Sequence, residues 1–525
     1  MTNRDDLYYR AMLARDHRFD GRFFVGVKTT GIYCRPICPA RPKRENVEFF
    51  ASAAAADKAG YRPCLRCRPE SAPHSPAWIG RSAVVQRALR LISTQPDAHF
   101  DESEFASRFG LSARHLRRLF LEEVGRTPKR IRDSIRLDFA RQLIVETRLP
   151  ITEIAFTSGY RSLRRFNDAI RTRFRRTPSG IRTAHAAGGS RRGAASPGPG
   201  VRLTLAYRPP FDWRALLQFY RAHCIEGVEQ VSATTYARAF AIEGGSGWVE
   251  VTHDAQRSRL EIRVLTADHG CLFHVAQRVR LMFDLDSDPV VVANAFSVSP
   301  LLCRLRRKHP GLRIARGWSP YETAVGTILG QLVSTTRARQ LTGRLVREYG
   351  QPLVHPLTGE TWYRFPTPAC LAAAHLAEIG TTRVRREALR VFSRLVARGE
   401  LSLAAEQDPG DFRDRLQRIP GIGPWSAEYI ALRAMGDTDA FPGRDLILRR
   451  VTELHPDLDP EAVRPWRGYA AIHLWHAYAT RLSGSARGPR RGVKTRGSPG
   501  RQPAPRSSSR AGAAQESPVA EEVRS

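Results

Sequence analysis

Four cysteines in two close pairs constrain the amino-terminal part of this chain more tightly than any other feature. They follow the spacings Cys34-x3-Cys38 and Cys64-x2-Cys67, with a loop of 25 residues between the pairs. Two pairs of soft ligands suit one tetrahedral zinc ion, because four thiolates form a closed coordination sphere. The spacing therefore predicts one Zn²⁺ bound by all four cysteines, and a purely structural site satisfies it as well as a reactive one.

The expected compartment agrees with a metal site. The chain starts Met-Thr-Asn-Arg-Asp-Asp, which lacks the apolar stretch of a secretory signal, so we expect a cytoplasmic protein. Thiols stay reduced in the cytosol, and a cysteine cluster there indicates a metal site rather than a disulfide framework. No run of about 18 apolar residues occurs, and we therefore expect no membrane partner.

The charge balance points to a polyanionic partner. The 525 residues include 84 Lys and Arg against 51 Asp and Glu, which gives a net charge of +33 at pH 7. A uniformly positive field attracts phosphates, and double-stranded DNA is the expected partner. Charge alone does not distinguish such a protein from an unrelated protein with basic tails.

Two segments of low complexity divide the chain. Residues 184–200 (AHAAGGSRRGAASPGPG) consist mainly of small residues, Gly and Pro, which cannot bury a core. We expect a flexible linker there, so that the two halves are tethered but independently mobile. From about residue 485, Ser, Gly, Pro, Arg and Ala dominate, and we expect a disordered basic tail that attracts phosphates without specificity.

The residues around the cysteines give the cluster a chemical role. The segments KTTGIYCRPICPARPKRENVEFF and AGYRPCLRCRPE resemble the zinc domain of the Ada family of adaptive-response proteins. The resemblance implies that Cys34, the first ligand, accepts a methyl group from a methylated DNA phosphate. It also implies that Thr30, Arg41 and Arg62 contact DNA beside this sulfur, although each alone could be a solvated surface residue. Zinc suits this chemistry because it keeps a thiol deprotonated at neutral pH.

Methylation would also change the charge of the centre. Zinc with four thiolates carries −2, whereas methylation of one sulfur leaves −1. Removing a negative charge that faces DNA phosphates strengthens binding. The zinc domain is therefore expected to act as a switch as well as an acceptor.

Residues 81–182 carry 22 Lys and Arg against 11 Asp and Glu, and they contain a doubled helix-turn-helix pattern. Asp101 is expected to cap a helix through Phe109, followed by a turn at Gly110 and a second helix capped by Ser112. The pattern recurs 50 residues later. Two such units fit successive major grooves, although a basic helix can also be only a solvated face. The residues expected to face DNA are Arg114, Arg117, Arg118, Arg164 and Arg165.

The second unit, ITEIAFTSGYRSLRRFNDAIRTRFRRTPSGIR, resembles the second half of an AraC-type DNA-binding domain. Together with the zinc domain, it resembles the regulatory half of Ada proteins. That resemblance implies a methylation sensor joined to a transcriptional activator, with RNA polymerase as a partner.

The second half is expected to be an enzyme. Residues 201–310 alternate between apolar and polar positions in places, which predicts an α+β domain, and helical periodicity dominates from about Trp318. The segment LQRIPGIGPWSAEYIALRAMGDTDAFPGRDLILRR contains a helix-hairpin-helix in which Gly421 and Gly423 allow close approach to a phosphate. With GTILGQLVS and RPWRGYAAIHLWH, it resembles the alkylpurine glycosylase AlkA.

That resemblance assigns roles to individual residues. Asp445, 24 residues beyond Gly421, would stabilise the positive sugar left by the departing base, although an Asp before an apolar helix is more often only an N-cap. Trp425, Tyr429 and Trp466 would form an electron-rich wall for a cationic base, with core packing as the alternative. Leu332 would be the wedge that fills the gap left by the flipped nucleotide.

The expected activity is that of a monofunctional 3-methyladenine-DNA glycosylase II, because Trp425 stands where lyases of the superfamily carry a lysine. The chain is thus predicted to be a bifunctional transcriptional activator and DNA alkylation repair enzyme. The alternative is a transcription factor with a structural zinc site and a catalytically inactive clamp. The predicted fold is multidomain and mostly α with α+β parts: an Ada-like zinc domain (1–76), an AraC-type helix-turn-helix domain (77–183), the linker (184–200), an α+β AlkA-like N-terminal domain (201–316), an all-α helix-hairpin-helix glycosylase domain (317–484) and the tail (485–525).

Overall fold

The computed structural model describes residues 3–51, 53–64, 66–67, 69, 83–96, 101–187, 199–242, 245–404 and 407–485. The predicted boundary at 76/77, most of the predicted linker 184–200 and nearly all of the tail lie outside these residues and stay predictions. Met1–Ala479 forms one unit by its contacts. Within the described residues, no helix is long and apolar enough to span a membrane.

A four-stranded sheet forms the cysteine-containing region. Its order is β3-β1-β2-β4, with β1 antiparallel to β2 and β3, and β2 parallel to β4. A Cβ on Gly26 in β1 would lie 2.6 Å from the ring of Phe50, so only glycine allows this ring to cover the sheet. The elements are α1 (Asn3–Leu13), β1 (Phe24–Val27), β2 (Ile32–Cys34), β3 (Val47–Phe50), α2 (Ala53–Lys58) and β4 (Arg62–Pro63).

Seven helices follow in the described part of this region, and they contain the two predicted helix-turn-helix units. The caps are as predicted: Asp101 accepts from the amides of Ser103 and Glu104, and Ser112 from that of His115. The first capped helix ends at Ser107, before the predicted Phe109, and Gly110 makes the turn in the left-handed region. The helices are α3 (Ala83–Thr94), α4 (Glu102–Ser107), α5 (Ala113–Glu123), α6 (Pro128–Glu146), α7 (Ile151–Thr157), α8 (Leu163–Phe174) and α9 (Pro178–Ala187).

A five-stranded antiparallel sheet with helices confirms the predicted α+β part. Its order is β5-β9-β8-β7-β6, and buried positions alternate along β5 and β9 as the period-2 pattern predicts. The strands are β5 (Val201–Ala206), β6 (Glu229–Val231), β7 (Tyr236–Ile242), β8 (Gly245–Asp254) and β9 (Arg259–Thr266). The helices are α10 (Trp213–His223), α11 (Leu272–Met282), α12 (Pro289–Ala295) and α13 (Pro300–Lys308).

The remaining part is helical, with one departure from the predicted all-α domain. A short antiparallel hairpin, β10 (Gln351–Val354) with β11 (Thr361–Arg364), interrupts the helices. The helices are α14 (Pro320–Leu329), α15 (Thr335–Tyr349), α16 (Pro368–Ala373), α17 (Arg383–Ala397), α18 (Pro409–Gln417), α19 (Pro424–Ile430), α20 (Leu446–Leu454) and α21 (Arg467–Ser485).

The two halves pack together, which differs from the expected independent mobility. One apolar cluster contains residues of α6 to α9 together with residues of the five-stranded sheet. The rings of Phe139 and Phe273 are 5.1 Å apart across this contact, and the Glu146 carboxylate accepts the amide of Thr204 at 3.0 Å. The composition of the linker concerns only the connecting segment, so it could not predict that apolar faces of the two halves pack together.

Candidate functional site

The four cysteines lie together because of the strand pairing. Cys34 ends β2, Cys64 follows β4 directly, and these two strands run parallel as neighbours. The four sulfur atoms lie within 4.8 Å of one another. Backbone amides of Arg35 and Arg66 approach the sulfurs of Cys67 and Cys64 at 3.3 Å and 3.4 Å. Such donors stabilise thiolates, and the donor set fits tetrahedral zinc.

The side chain of Arg35 holds the cysteine segments in place. It forms a buried ion pair with Asp20 and also donates to the carbonyl of Cys67 at 3.2 Å. From α6, the fully buried Arg141 donates to the carbonyl of Cys64 at 3.1 Å and lies 5.5 Å from the ring of Phe174 in α8. The helix-turn-helix region therefore contacts a ligand segment directly. Sequence reasoning missed Arg141, because nothing in the pattern of α6 distinguishes it from surface arginines.

The three residues of the zinc domain predicted to contact DNA lie in or next to the segments that carry the cysteines. Thr30 is exposed in the turn between β1 and β2, Arg41 is exposed a few residues after Cys38, and Arg62 lies half-buried in β4. Their placement is compatible with a DNA-facing edge. Contact with a phosphate stays a prediction for all three.

The predicted base-reading arginines lie on the exposed faces of α5 and α8. On α8, Ser162 caps the first turn by accepting the amide of Arg165, while Phe166 and Ile170 are buried on the opposite side. The arginines therefore lie in the first turns of these helices and face solvent, and their contact with DNA stays a prediction. Exposed side chains are Arg114, Arg117, Arg118, Arg164 and Arg165.

Asp445 lies at the start of α20 and accepts four hydrogen bonds. Its Oδ1 caps the helix by accepting the amides of Ile447 and Leu448 at 3.0 Å and 3.2 Å. The indole Nε1 of Trp475 donates to the same oxygen at 2.9 Å, and that of Trp425 donates to Oδ2 at 3.1 Å. Asp445 is thus an N-cap, as the alternative interpretation predicted, and two indole N–H groups also bind its carboxylate.

An aromatic group surrounds this carboxylate. The rings of Trp425 and Tyr429 stack at 5.2 Å, and Tyr429 lies 6.0 Å from Trp475. Trp466, the third predicted wall residue, lies in a hydrophobic cluster against Tyr469. The structure thus brings Trp425 and Tyr429 to Asp445 but places Trp475 there instead of Trp466. Both tryptophans occur in RPWRGYAAIHLWH, with Trp466 directly before α21 and Trp475 within it.

Behind the aromatic group lies a buried cation that sequence reasoning also missed. The Arg433 guanidinium is 5.8 Å from the ring centre of Tyr429 and 5.5 Å from that of Trp475. It donates to the carbonyl of Ala315 at 2.7 Å, and burial lowers the pKa of this arginine from its usual value. Arg433 therefore packs against the rings of both Tyr429 and Trp475.

The hairpin directly precedes α19, and the residue before the predicted wedge, Gln331, is hydrogen-bonded to it. Gly421 adopts a φ of +89°, which favours glycine, and Gly423 is the N-cap residue of α19. Leu332 lies between α14 and α15 with its side chain fully exposed. An exposed apolar side chain in this position suits insertion into a base stack, and that role stays a prediction.

Comparisons with known proteins identify three parts of the chain. Residues 7–70 match the family described as the metal binding domain of Ada, and residues 105–184 match a helix-turn-helix domain. Residues 202–319 match the AlkA N-terminal domain. These matches confirm the predicted resemblances, and with the four clustered sulfurs they confirm the zinc site.

Relatives cover nearly the whole chain. A probable bifunctional transcriptional activator/DNA repair enzyme AlkA of Mycobacterium tuberculosis is 38% identical over 476 residues, which is 89% of this chain and 95% of that protein. DNA-3-methyladenine glycosylase 2 of Escherichia coli is 33% identical over 283 residues, covering 52% of this chain and 96% of that protein. The bifunctional transcriptional activator/DNA repair enzyme Ada of Escherichia coli is 43% identical over 126 residues, which is 24% of this chain and 34% of that protein.

Proposed function

Because the chain belongs to the AlkA family of bifunctional transcriptional activators and DNA repair enzymes, we propose that it excises alkylated purines such as 3-methyladenine and takes up methyl groups from DNA methylphosphotriesters. The observation that carries the excision activity is Asp445, held by the indoles of Trp425 and Trp475 beside a DNA-binding hairpin. The activity of the zinc centre is carried by the four clustered sulfurs.

The excision chemistry needs little acid catalysis. A purine alkylated at N3 or N7 is already cationic and leaves readily once the nucleotide is flipped out of the duplex. Stacked rings of Trp425 and Tyr429 offer electron-rich faces to that cation. The Asp445 carboxylate, oriented in advance by four donors, stabilises the positive charge that develops on the sugar. Water then completes the hydrolysis of the N-glycosidic bond.

The reaction stops at the abasic site. Lyases of this superfamily use a lysine two residues after the second hairpin glycine, and this chain has Trp425 there. An indole cannot form a Schiff base with the sugar. The proposed enzyme is therefore monofunctional, and strand cleavage by the pure wild type would contradict this reading.

Asp445→Asn tests the excision activity. Asn is also a good N-cap and has nearly the same shape, so the variant should fold, whereas the lost charge should slow excision by about 100-fold or more. Excision of 3-methyladenine should be measured beside binding to undamaged duplex, which should be unchanged. Asp457→Asn, an exposed position in the loop after α20, is the matched control. Excision equal in both variants would contradict the assignment and favour the inactive clamp.

Methyl uptake is a direct displacement at Cys34. The thiolate attacks the methyl carbon, the C–O bond breaks with its electrons going to the phosphate, and a phosphodiester and a thioether remain. Zinc, when bound by the four cysteines, keeps the sulfurs deprotonated and therefore nucleophilic. Nothing described near Cys34 could remove the methyl group again, so each molecule should react once.

Mass spectrometry after exposure to methylphosphotriester DNA tests this step. The wild type should gain the mass of one methyl group, located at Cys34, and Cys34→Ala should gain none. Cys303→Ala removes a thiol far along the chain and should react like the wild type. No mass gain in the wild type would show that the zinc site is only structural.

The activator function follows from the same reaction. Loss of one negative charge at the zinc centre lowers repulsion from DNA phosphates, and the exposed arginines of α5 and α8 then hold the duplex more tightly. The methylated protein should bind promoter DNA more tightly than the unmethylated protein at the same salt concentration. Recruitment of RNA polymerase completes the proposed activation.

A further inference from the structure

The segment that carries Leu332 is held in an unfavourable backbone conformation. Leu332 has a φ of +53°, in the left-handed region that non-glycine residues rarely occupy. Its fully exposed side chain has no packing that could fix this conformation. Contacts of neighbouring residues must therefore hold it.

Gln331, the preceding residue, supplies such contacts on two sides. Its Nε2 donates to the carbonyl of Gly421 at 2.8 Å and to Oγ of the buried Ser426 at 2.9 Å. The guanidinium of Arg385 in α17 donates to the carbonyl of Gln331. The backbone beside Leu332 is thus tied both to the hairpin and to α17.

The hairpin itself packs on the same helix. A Cβ added to Gly421 would lie 3.2 Å from the Cβ of Ala388 and 3.3 Å from Val384 Cγ1, both in α17. The hairpin, α17 and the Leu332 segment therefore form a closed set of contacts. Movement of one requires a broken contact with another.

We propose that Gln331 and Arg385 are positioning residues that fix the Leu332 wedge relative to the phosphate gripped by the hairpin. The inference rests on the proposed excision activity. If the hairpin docks on a phosphate, as the proposed function implies, the Gln331 contacts convert this docking into a defined position of Leu332 in the base stack. Gln331 and Arg385 bond to the hairpin, to Ser426 and to each other, whereas other residues hold Asp445. Their role is therefore in opening the duplex and not in breaking the bond.

Gln331→Ala distinguishes a role in opening the duplex from a role in breaking the glycosidic bond when excision from duplex and from single-stranded DNA is compared. Single-turnover excision of 3-methyladenine from a matched duplex should fall by about 10-fold, because two hydrogen bonds that hold the wedge are lost. Excision of the same lesion from single-stranded DNA should match the wild type, because no stack has to be opened. A fluorescent base next to the lesion should report slower flipping in the duplex. Gln340→Ala, at an exposed position of α15, is the matched control.

Variants of Arg385 test the positioning role independently. Arg385→Ala should show the same duplex-specific loss, and Arg385→Lys should restore part of it because an amine can still donate to the carbonyl. Thermal unfolding of every variant identifies any general destabilisation, which would slow excision from both DNA forms.

Two results would overturn the positioning role while leaving the proposed function intact. One is wild-type excision by Gln331→Ala on the duplex, and the other is an equal loss on duplex and single strand in a folded variant. A wild type that excises from neither DNA form would instead overturn the proposed function, and the positioning role with it.

Discussion

At the scale of single residues, the observed capping role of Asp445 is compatible with the chemical role proposed for it. Its cap of α20 fixes Oδ1, and the two indole donors fix the plane of the carboxylate. A group held in this way needs no reorganisation when positive charge develops nearby. The two interpretations of this residue from the sequence are therefore complementary.

Trp475→Phe tests the donor that sequence reasoning missed. The change keeps an aromatic ring but removes the indole N–H, which leaves Oδ1 of Asp445 with its two helix amides. A hydrogen bond to a charged group contributes about 1.5–3 kcal/mol, so excision should slow by about 10-fold to 100-fold. The measurement is single-turnover release of 3-methyladenine.

Trp466→Phe is the control at the residue that the sequence favoured. Trp466 is buried in the core, so its truncation should lower the free energy of unfolding and leave excision by the folded protein near the wild-type rate. The reverse pattern, with excision lost in Trp466→Phe and kept in Trp475→Phe, would restore the sequence-based choice.

At the scale of elements, the sequence predicted what depends on short spacings. Ser112 and Gly110 define a helix start and a turn within a few residues, and both are where the pattern placed them. The hairpin β10–β11 was not predicted, because β10 contains Pro352 and is largely exposed, so it lacks the alternation of a half-buried strand. Each strand of this hairpin is stabilised by its pairing with the other strand, and a pattern within one strand does not contain that pairing.

The same limit applies inside the candidate site. Cys34, Cys38, Cys64 and Cys67 were predictable because their spacing is itself the signal. Trp475, Arg433 and Arg141 act through contacts between elements distant in sequence, and their local patterns resemble ordinary core or surface positions.

At the scale of the whole molecule, a chain of contacts joins the zinc centre to the second half. Arg35, next to Cys34, pairs with Asp20, whose carbonyl accepts from the buried Arg208 at 2.8 Å. Nearby, Arg22 forms an ion pair with Asp288 at 2.6 Å, and Asp288 is almost fully buried. The zinc-binding region is therefore docked on the AlkA-like part.

Arg22→Met tests this docking. The change keeps an unbranched apolar stem but removes the guanidinium that pairs with the buried Asp288 carboxylate. The free energy of unfolding should fall by about 1–3 kcal/mol, less than for a fully buried pair because Arg22 is partly exposed. Calorimetry should then resolve separate transitions for the two halves, and limited proteolysis should cut more readily between them. Arg4→Met, at an exposed position of α1, should leave one transition. If both variants unfold like the wild type, the ion pair does not hold the halves together, and the shared apolar cluster and the remaining hydrogen bonds must carry the docking.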